Sequence, residues 1–487
     1  QILESESNDT ERSYDRPITS AATSDAYLSA SSSQSNSDYN PNIYVDPENG
    51  SDSNSGGQSS PYATIRKGLN EASSGDRILL MGGTNEISQP VISATPDLTV
   101  KVAEGETFII DAQNYNTDNP WQTGPALAFY GSDNLLLDGS PGRIEIRDSS
   151  SDGLKITGSE NWTIRGVTVT RSQLRGIIVG ERCNEGLVEF CLSYDNFGPL
   201  DEGDGSSVGG DADGFQAVTG VNEPKENWPR NITFRGCIAH HNSDDGFDFI
   251  RAENITVEQC IVFNNGYDLQ GEMESDAPGA GIKLGYARSY YDNNGNTPPN
   301  GNTVRNSIVY GNGGRGIFWG AGSGHGAFNV TAWNNSRKGV QGANSDDIGF
   351  WNAERGTIEN SLVTKIERDS IQNLQTNNNR IEPVSNWDTN TETDDKGIPG
   401  SPSEFGKTED TIGAASPNDI WVSAVLSQLD AVSSQDTRSS SSSSSTSNNY
   451  SNPITFSSEE HEIELVSSSP NSVNYLFSVT QGPETSE

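Results

Sequence analysis

A short pattern recurs along the middle of the chain and constrains the fold more than any other feature. Each copy has one variable residue, a glycine and then a short run of strand-forming residues. The unit spans about 22–24 residues where no loop is inserted, a length typical of solenoid repeats. Such a unit buries its apolar face only against its neighbours, so the repeats are predicted to stack around one long core. The copies are Asp152-Gly-Leu-Lys-Ile, Arg175-Gly-Ile-Ile-Val, Asp213-Gly-Phe-Gln-Ala, Asp245-Gly-Phe-Asp-Phe, Ala280-Gly-Ile-Lys-Leu and Arg315-Gly-Ile-Phe-Trp.

A second strand is predicted in each repeat, and two columns of residues recur in or just after it. The predicted strands include Val188–Leu192, Thr233–Ile238, Thr256–Ile261 and Val304–Ile308. One column holds Val167, Cys191, Cys237, Cys260, Ser307 and Ser361, and the other holds Asn196, Asn242, Asn265 and Asn312. Small side chains allow coils to stack, and asparagine both tolerates a left-handed turn and pairs its amide with the copy above. A leucine-rich repeat has a similar period but needs a leucine framework, which this sequence lacks.

We therefore predict an all-β fold, a right-handed parallel β-helix that is a single-stranded solenoid with short capping helices. The solenoid occupies residues 41–430, and helical apolar spacing predicts caps at Pro61–Ala72 and Ser416–Leu429. Residues 1–40 are polar and acidic with little to bury, which predicts a disordered leader. Residues 431–452 are a serine-rich linker. Residues 453–487 are predicted to form a short β segment, which either begins a further module or docks onto the second helix.

The acidic charge of the chain excludes nucleic acid as a general partner. Sixty-eight acidic residues against thirty basic residues give a formal net charge of −38, whose field would repel phosphate. An acid excess with few lysines favours a halophilic protein, because salt screens the self-repulsion. The alternative is a partly disordered acidic protein, which the periodic core argues against. We expect a monomer.

Extracellular localisation is also predicted. No apolar run approaches the ~20 residues of a membrane-spanning helix, so no membrane span is expected. The sequence contains no signal peptide, but its start at Gln1 suggests a processed, secreted chain.

Aligned carboxylates form the first candidate site. Asp213 and Asp245 each precede the glycine of their repeat, Asp244 lies beside Asp245, and Asp248 falls three positions further on. Neighbouring coils are about 4.8 Å apart, so these four carboxylates converge across two coils. Clustered carboxylates without His or Cys favour a hard cation, and Ca²⁺ accepts such ligands readily. The alternative is a solvated acidic patch, because acidic residues are common in this chain.

Lys283 occupies the position of Asp248 in the next repeat, and its side chain is expected to face away from the core. One interpretation is an ion pair with Asp248. The other is a catalytic base whose pKa is lowered by a nearby divalent cation, because like charge disfavours protonation. Such a lysine beside carboxylate-bound calcium would suit β-elimination from a uronic acid.

The segments Ala212-Asp-Gly-Phe, Ser243-Asp-Asp-Gly-Phe-Asp and Gly281-Ile-Lys-Leu-Gly, in this order, resemble polysaccharide lyase family 9. The resemblance covers about residues 42–370, including Tyr44-Val-Asp and Pro61-Tyr-Ala-Thr-Ile-Arg-Lys near the start. It implies a calcium-dependent lyase of pectate-like polysaccharides. It makes Asp213, Asp244, Asp245 and Asp248 calcium ligands and makes Lys283 the base. Two features depart from the family pattern: Tyr286 replaces a second glycine, and the loop Val221–Pro229 lengthens the gap between two of the aspartates.

The implied reaction is removal of the C5 proton of a galacturonate unit by Lys283, followed by cleavage of the C4–O bond. Four basic residues lie near equivalent edges of the predicted solenoid coils and could bind further carboxylates of an acidic polysaccharide: Arg251, Arg288, Arg315 and Lys338. Each is also explained as an ordinary surface charge. Aromatic residues that could line a sugar groove, or stack inside the solenoid instead, are Tyr286, Tyr290, Tyr291 and Trp319.

Two other functions remain open on the sequence. An inverting glycoside hydrolase of the same fold also uses Asp-Gly and Asp-Asp motifs on adjacent coils. By resemblance, however, that class has Gly-His-Gly and Arg-Ile-Lys in the following coils, where this chain has Gly-Ala-Gly and an isolated lysine. A calcium-stabilised carbohydrate-binding surface protein would repeat its aspartate motif over many coils, whereas the cluster occurs once here.

Overall fold

The computed structural model has a solenoid of three parallel sheets, and its coils pass through the sheets in the order 1, 2, 3. It describes residues 39–381, except 116–123, 141, 199–208, 268–278, 287, 294, 296, 337–346, 364 and 367–370, together with 453–457, 461–466 and 476–481. Every strand of the solenoid pairs in parallel with the corresponding strand of the next coil. The parallel β-helix prediction is therefore confirmed.

Sheet 1 contains the strands that follow the repeated glycines. Its nine strands are Val91–Ser93, Leu127–Tyr130, Leu154–Thr157, Ile177–Val179, Phe215–Ala217, Phe247–Asp248, Ile282–Lys283, Ile317–Trp319 and Ile348–Phe350. Sheet 2 has twelve strands: Ile43–Val45, Arg77–Leu80, Thr99–Val102, Leu136–Asp138, Thr163–Arg165, Asn184–Glu189, Arg230–Arg235, Glu253–Glu258, Thr303–Arg305, Gly322–Phe328, Ala353–Glu359 and Ile371–Asn377.

Sheet 3 has eleven strands: Gly83–Glu86, Thr107–Asp111, Arg143–Arg147, Val167–Thr170, Leu192–Tyr194, Ile238–His240, Ile261–Phe263, Ile308–Tyr310, Thr331–Trp333, Leu362–Val363 and Arg380–Ile381. A separate antiparallel sheet lies in the C-terminal segment and consists of Pro453–Ser457, His461–Val466 and Leu476–Gln481. The described chain also has the helices Ile65–Glu71 and Arg288–Asn293 and the 3₁₀ helix Lys225–Asn227. None of the described helices is long and apolar enough to cross a membrane.

Each predicted second strand is divided between two sheets. The run Thr233–Ile238, for example, contributes to Arg230–Arg235 in sheet 2 and to Ile238–His240 in sheet 3. Gly236, between these strands, has a φ of 60°, in the left-handed region where the chain turns sharply. The prediction of a single strand is wrong because buried apolar residues continue across the bend, so hydrophobicity alone does not reveal it.

The predicted asparagine column forms a hydrogen-bonded ladder inside the solenoid. The Asn242 amide donates to Asn265 Oδ1 at 2.9 Å, and the Asn265 amide donates to Asn312 Oδ1 at 2.9 Å. The ladder also includes Asn196 and Asn335. Amide pairing between coils is thus confirmed, and it satisfies polar groups that would otherwise be costly to bury.

The left-handed turn expected at the ladder asparagines belongs to the residue before each of them. Asp195, His241 and Asn264 have φ values of 53°, 51° and 52°. The turn is thus made one position earlier, and the next side chain then points into the solenoid. Sequence spacing could not separate the two positions, because both favour polar residues.

The repeated glycine is explained by close packing against the asparagine ladder. A Cβ atom on Gly246 would lie 2.6 Å from the Gly281 carbonyl oxygen and 2.8 Å from Asn265 Nδ2. A Cβ atom on Gly281 would collide in the same way with the next coil and with Asn312. The glycine and asparagine columns therefore form one packing unit, and they fix the register of sheet 1 in the coils that contain both.

The described ends and inserts surround this core. The helix Ile65–Glu71, capped by the Thr64 side chain, buries Ile65 and Leu69, as expected for the N-terminal cap. The predicted second cap, 416–429, lies outside the described residues. Two of the long inserts, 221–229 and 286–301, lie in connections from sheet 1 to sheet 2. They follow the strands of sheet 1 that contain Gln216 and Lys283.

Candidate active site

Sheet 1 brings the predicted site residues into one row. Gln216 pairs with Asp248, and Asp248 pairs with Lys283, in consecutive strands. The residue before each of them belongs to the hydrophobic core. Because side chains alternate along a strand, this row points away from the core, as the sequence alignment predicts.

Three of the aspartates converge beside this row. One carboxylate oxygen from each of Asp213, Asp244 and Asp245 lies within 4.8 Å of the others, an arrangement that could hold a metal ion. Asp213 Oδ1 accepts a hydrogen bond from the backbone N–H of Asp245 at 3.0 Å, which ties the two coils together. Backbone N–H groups of Ala280 and Asp211 donate to Asp245 and Asp244. Backbone N–H groups of the coils therefore help to hold the carboxylates in place.

The cluster is buried, although it lies outside the hydrophobic core. Asp213 is 1% exposed, Asp245 0% and Lys283 5%. The alternative of a solvated acidic patch is therefore wrong. Charged groups at such depth are costly unless they are paired with each other or with a bound ion.

Burial and mutual repulsion raise the pKa values of these carboxyl groups. Loss of solvation raises the pKa of Asp244 to about 7 and that of Asp245 to about 6, and neighbouring carboxylates add to both shifts. Burial and the charge of Asp244 also raise the pKa of Asp213 well above its usual value. Without a cation, the cluster thus resists full ionisation at neutral pH.

Lys283 is the positive charge closest to these aspartates. Its Nζ lies 2.9 Å from Asp245 Oδ2 and 3.4 Å from Asp248 Oδ2, so the expected ion pair involves two carboxylates. Burial alone would lower the pKa of Lys283, but the charges of Asp245 and Asp248 outweigh it and hold the pKa well above its usual value. The protein's own charges therefore raise the pKa of Lys283. The lowering predicted from the sequence would require a bound divalent cation.

Several buried polar atoms around the cluster lack a hydrogen-bond partner within the described chain. They include Asp248 Oδ1, Gln216 Oε1 and Arg251 Nη1. Buried atoms of this kind are rare and usually mark a ligand, water or ion. Two of them are oxygens beside three carboxylates, and carboxylate and amide oxygens are the ligands that Ca²⁺ prefers. The donor set fits a calcium ion.

The four predicted substrate-binding cations have different surroundings. Arg251 is buried, donates from Nε to the Thr219 carbonyl oxygen at 2.5 Å, and lies 5.4 Å from the Tyr290 ring centre. Arg288 pairs with Asp292 and Glu354. It lines a cavity of about 600 Å³, and none of the four aspartates of the candidate site lies in the walls of that cavity. Arg315 lies over the Phe318 ring at 5.2 Å. Lys338 falls outside the described residues.

The predicted groove aromatics separate into two groups. Tyr291 and Trp319 are fully buried, so they pack inside the structure and do not line a groove. Tyr286 and Tyr290 are partly exposed and pack against the cluster that contains Tyr291. Tyr286 lies next to the site, with its ring centre 5.3 Å from Lys283 Nζ.

Gln216 is a site residue that the sequence reasoning left unassigned. Its Nε2 donates to Asp213 Oδ2 at 2.8 Å and to Asp248 Oδ2 at 3.3 Å, so it links two of the predicted ligands. The signal was present, because Gln216 shares an alignment column with Asp248 and Lys283. Glutamine is a common surface residue, and only its burial distinguishes it here.

The curated relatives that match this chain include two proteins named as pectate lyases. Pectate lyase L of Dickeya chrysanthemi is 24% identical over 71% of this chain and 75% of its own length. Pectate lyase PEL9 of Emericella nidulans is 27% identical over 50% of this chain and 62% of its own length. The chain thus spans between three fifths and three quarters of these two relatives.

Solved structures support the same fold. The crystal structure of pectate lyase Pel9A superposes with a TM-score of 0.52 at 19% identity, covering 77% of this chain and 89% of that one. A rhamnogalacturonan lyase structure superposes with a TM-score of 0.53 at 19% identity, covering 77% of this chain and 94% of that one. Residues 43–360 match the family described as Pel9A-like, right handed beta helix region, which also confirms the predicted handedness. The chain therefore belongs to the Pel9A-like right-handed β-helix family.

Proposed function

We propose that this protein is a calcium-dependent polysaccharide lyase that cleaves a polyuronate, such as pectate, by β-elimination. The observation that carries the proposal is a buried lysine, Lys283, 2.9 Å from Asp245 in a cluster of carboxylates that fits a calcium ion. Family membership and the pectate lyase relatives support the same reaction class.

The aspartates serve as the calcium site in this proposal. Asp213, Asp244, Asp245 and Asp248 hold the ion, and Gln216 keeps two of them in position. When bound, calcium neutralises the carboxylates and the C6 carboxylate of the sugar, which acidifies the proton on C5. With these charges neutralised, the negative field that keeps Lys283 protonated would be reduced, so that the amine could act as a base.

Lys283 performs the proton transfer. The lysine Nζ takes the C5 proton, and the electrons of the C5–H bond form a double bond between C4 and C5. The C4–O bond breaks, and the departing oxygen takes a proton from water. The products are an unsaturated non-reducing end and a new reducing end. The fixed contacts of Lys283 with Asp245 and Asp248 orient the amine before the substrate binds.

Arg251 is proposed to bind a carboxylate of the substrate. It is buried beside the aspartates, and its Nη1 has no hydrogen-bond partner within the described residues. A guanidinium group matches the geometry of a carboxylate, so a uronate unit would satisfy this group. Arg315 has a similar proposed role further along sheet 1. The contacts of Arg288 with Glu354 and Asp292 favour a structural role for that residue.

Two observations disfavour the competing functions. The carboxylates of Asp213, Asp244 and Asp245 approach within 4.8 Å, whereas the acid and base of an inverting hydrolase stand about 6.5–9.5 Å apart. Within the described chain, only one group of carboxylates meets the geometry of a metal site. A calcium-stabilised surface fibre would need such groups along many coils.

The setting of the enzyme is proposed from its substrate and charge. A polysaccharide is too large to enter a cell, so a lyase of this kind acts outside it as a secreted monomer. The large acid excess suits a medium of high ionic strength.

The test is incubation with polygalacturonate in the presence and absence of calcium. We expect an increase in ultraviolet absorbance from the unsaturated product, only when calcium is present. Release of reducing ends without this absorbance would instead indicate hydrolysis. Parallel assays with rhamnogalacturonan and alginate identify the preferred uronate polymer.

A further inference from the structure

A group of aromatic side chains lies beyond Lys283 along the solenoid. Phe318 is the cross-strand partner of Lys283, so it lies one coil further along the same row of sheet 1. The Trp351 ring centre lies 6.3 Å from that of Phe318 and 5.9 Å from that of Tyr286. We call Tyr286, Phe318 and Trp351 the aromatic platform. It begins at the site, because Lys283 Nζ lies 5.3 Å from the Tyr286 ring centre.

Trp351 is exposed to an unusual degree for its size. It is 39% exposed, and it is one of three exposed large hydrophobic side chains in the described part of the chain. The other two, Ile92 and Val221, have no ring. An exposed tryptophan ring beside two other aromatic rings does not gain the free energy of burial unless another molecule or segment covers it.

We propose that the aromatic platform is a binding subsite for a pyranose ring of the polysaccharide. A chain that runs along the solenoid axis past Lys283 passes Phe318, which is 7% exposed, after one coil and reaches the exposed ring of Trp351 after two, or about 10 Å. The C–H face of a sugar stacks on an aromatic ring, and the sugar's hydroxyl groups remain in water. Arg315, over the Phe318 ring at 5.2 Å, supplies positive charge for the carboxylate of a uronate unit.

This inference rests on the proposed function, because it places the subsite on the same polysaccharide. It adds a determinant of chain length that the aspartates and Lys283 do not provide. Substrates long enough to reach the platform gain the stacking contact, and shorter ones do not. The platform thus predicts a preference for longer chains, through binding and not through the chemical step.

The test compares Trp351→Ala with the matched control Ile92→Ala. Ile92 is similarly exposed, at 43%, and also lies on sheet 1, six strands before Lys283. We expect Trp351→Ala to raise KM for a galacturonate octamer about tenfold, with kcat nearly unchanged and a smaller effect on a trimer. Trp351→Phe should recover most of the loss, and Ile92→Ala should behave as the parent protein. Equal KM values for the parent and Trp351→Ala would overturn the proposal.

Affinity electrophoresis in gels containing polygalacturonate, rhamnogalacturonan or alginate separates this inference from the lyase proposal. If no lyase activity is found but a polysaccharide retards the parent more than Trp351→Ala, the subsite stands and the reaction is wrong. If no polysaccharide retards the parent and no activity is found, both proposals fail. Trp351→Gln serves as a second variant if Trp351→Ala does not fold.

Discussion

Two rows of buried polar side chains run along this solenoid, and they differ in how their hydrogen-bonding groups are satisfied. In the asparagine ladder, the Asn265 amide donates to Asn312 and the Asn265 carbonyl oxygen accepts from Asn242, both at 2.9 Å. In the aspartate cluster, like charges meet, and Asp248 Oδ1 has no hydrogen-bond partner in the described structure. The ladder is neutral and complete, whereas the cluster is charged and incomplete.

The difference separates a structural stack from a binding site. An amide is both donor and acceptor, so identical residues satisfy each other from coil to coil. A carboxylate is only an acceptor when ionised, so identical residues repel and need a cation. Repetition therefore stabilises the ladder, whereas the cluster depends on what it binds. Four experiments test this contrast.

Loss of the lysine should have the largest effect. We expect Lys283→Ala to reduce kcat by about 10³-fold, because a positioned general base contributes on this scale. Lys155→Ala is the matched control, since Lys155 occupies the same row of sheet 1 in an earlier coil. Steady-state kinetics with calcium and polygalacturonate measure both variants. Equal losses in the two would contradict the role of Lys283.

Breaking the asparagine ladder should lower the free energy of unfolding and leave the catalysed reaction unaffected. Asn265→Ala removes the acceptor of the buried Asn242 backbone N–H and one of the donors to Asn312 Oδ1, so the free energy of unfolding should fall by about 3 kcal/mol. Denaturant unfolding monitors the change. The control is Asn231→Gly, which breaks an exposed side-chain pair at a φ of 56° that glycine adopts easily. It should cost well under 1 kcal/mol, and a similar loss in both would show that burial of the ladder is unimportant.

The calcium-free protein should become less stable as the pH rises from about 4 to about 7. The folded-state pKa values of Asp244 and Asp245 are about 7 and about 6, above those of an unfolded chain. Between these limits the folded state binds more protons than the unfolded state, so raising the pH favours unfolding. Thermal unfolding across this range in a chelator measures the loss. Saturating calcium should remove it, and a stability that rises with pH would exclude the buried cluster as its cause.

The smallest effect is expected from neutralising one aspartate. Asp213→Asn keeps an oxygen for the backbone N–H of Asp245 but removes one buried negative charge. Without calcium, this variant should be more stable than the parent by about 1 kcal/mol. Calcium should stabilise it less than the parent, because a ligand charge is missing. Calcium titrations followed by thermal unfolding compare the two, and identical calcium responses would remove Asp213 from the ligand set.

The alignment of repeats allowed much of the site to be predicted. Asp248 and Lys283 were placed in one row by counting from the repeated glycines, and the structure pairs them in that register. The glycine is a dependable marker of each repeat because a side chain at Gly246 would collide with the next coil. Register therefore follows from local packing rules that act identically in each repeat.

Features that leave no mark on the repeat pattern could not be predicted. The turn at Gly236 was missed because the apolar pattern continues through it. Trp351 was missed because its neighbours Tyr286 and Phe318 come from other coils, and no sequence period connects them. Tyr291 and Trp319 were considered for a groove, although both are buried.

The sequence by itself determined the solenoid, its register and the placement of the four aspartates and Lys283 on three consecutive coils. These follow from a repeat in which each unit must match its neighbour. Only the tertiary structure decided that the cluster is buried, that Lys283 contacts both Asp245 and Asp248, and that Trp351 stands exposed beside the site. Burial and the mutual charges of the aspartates and Lys283 set the electrostatics of the site, and both depend on distances between atoms that the repeat pattern does not give.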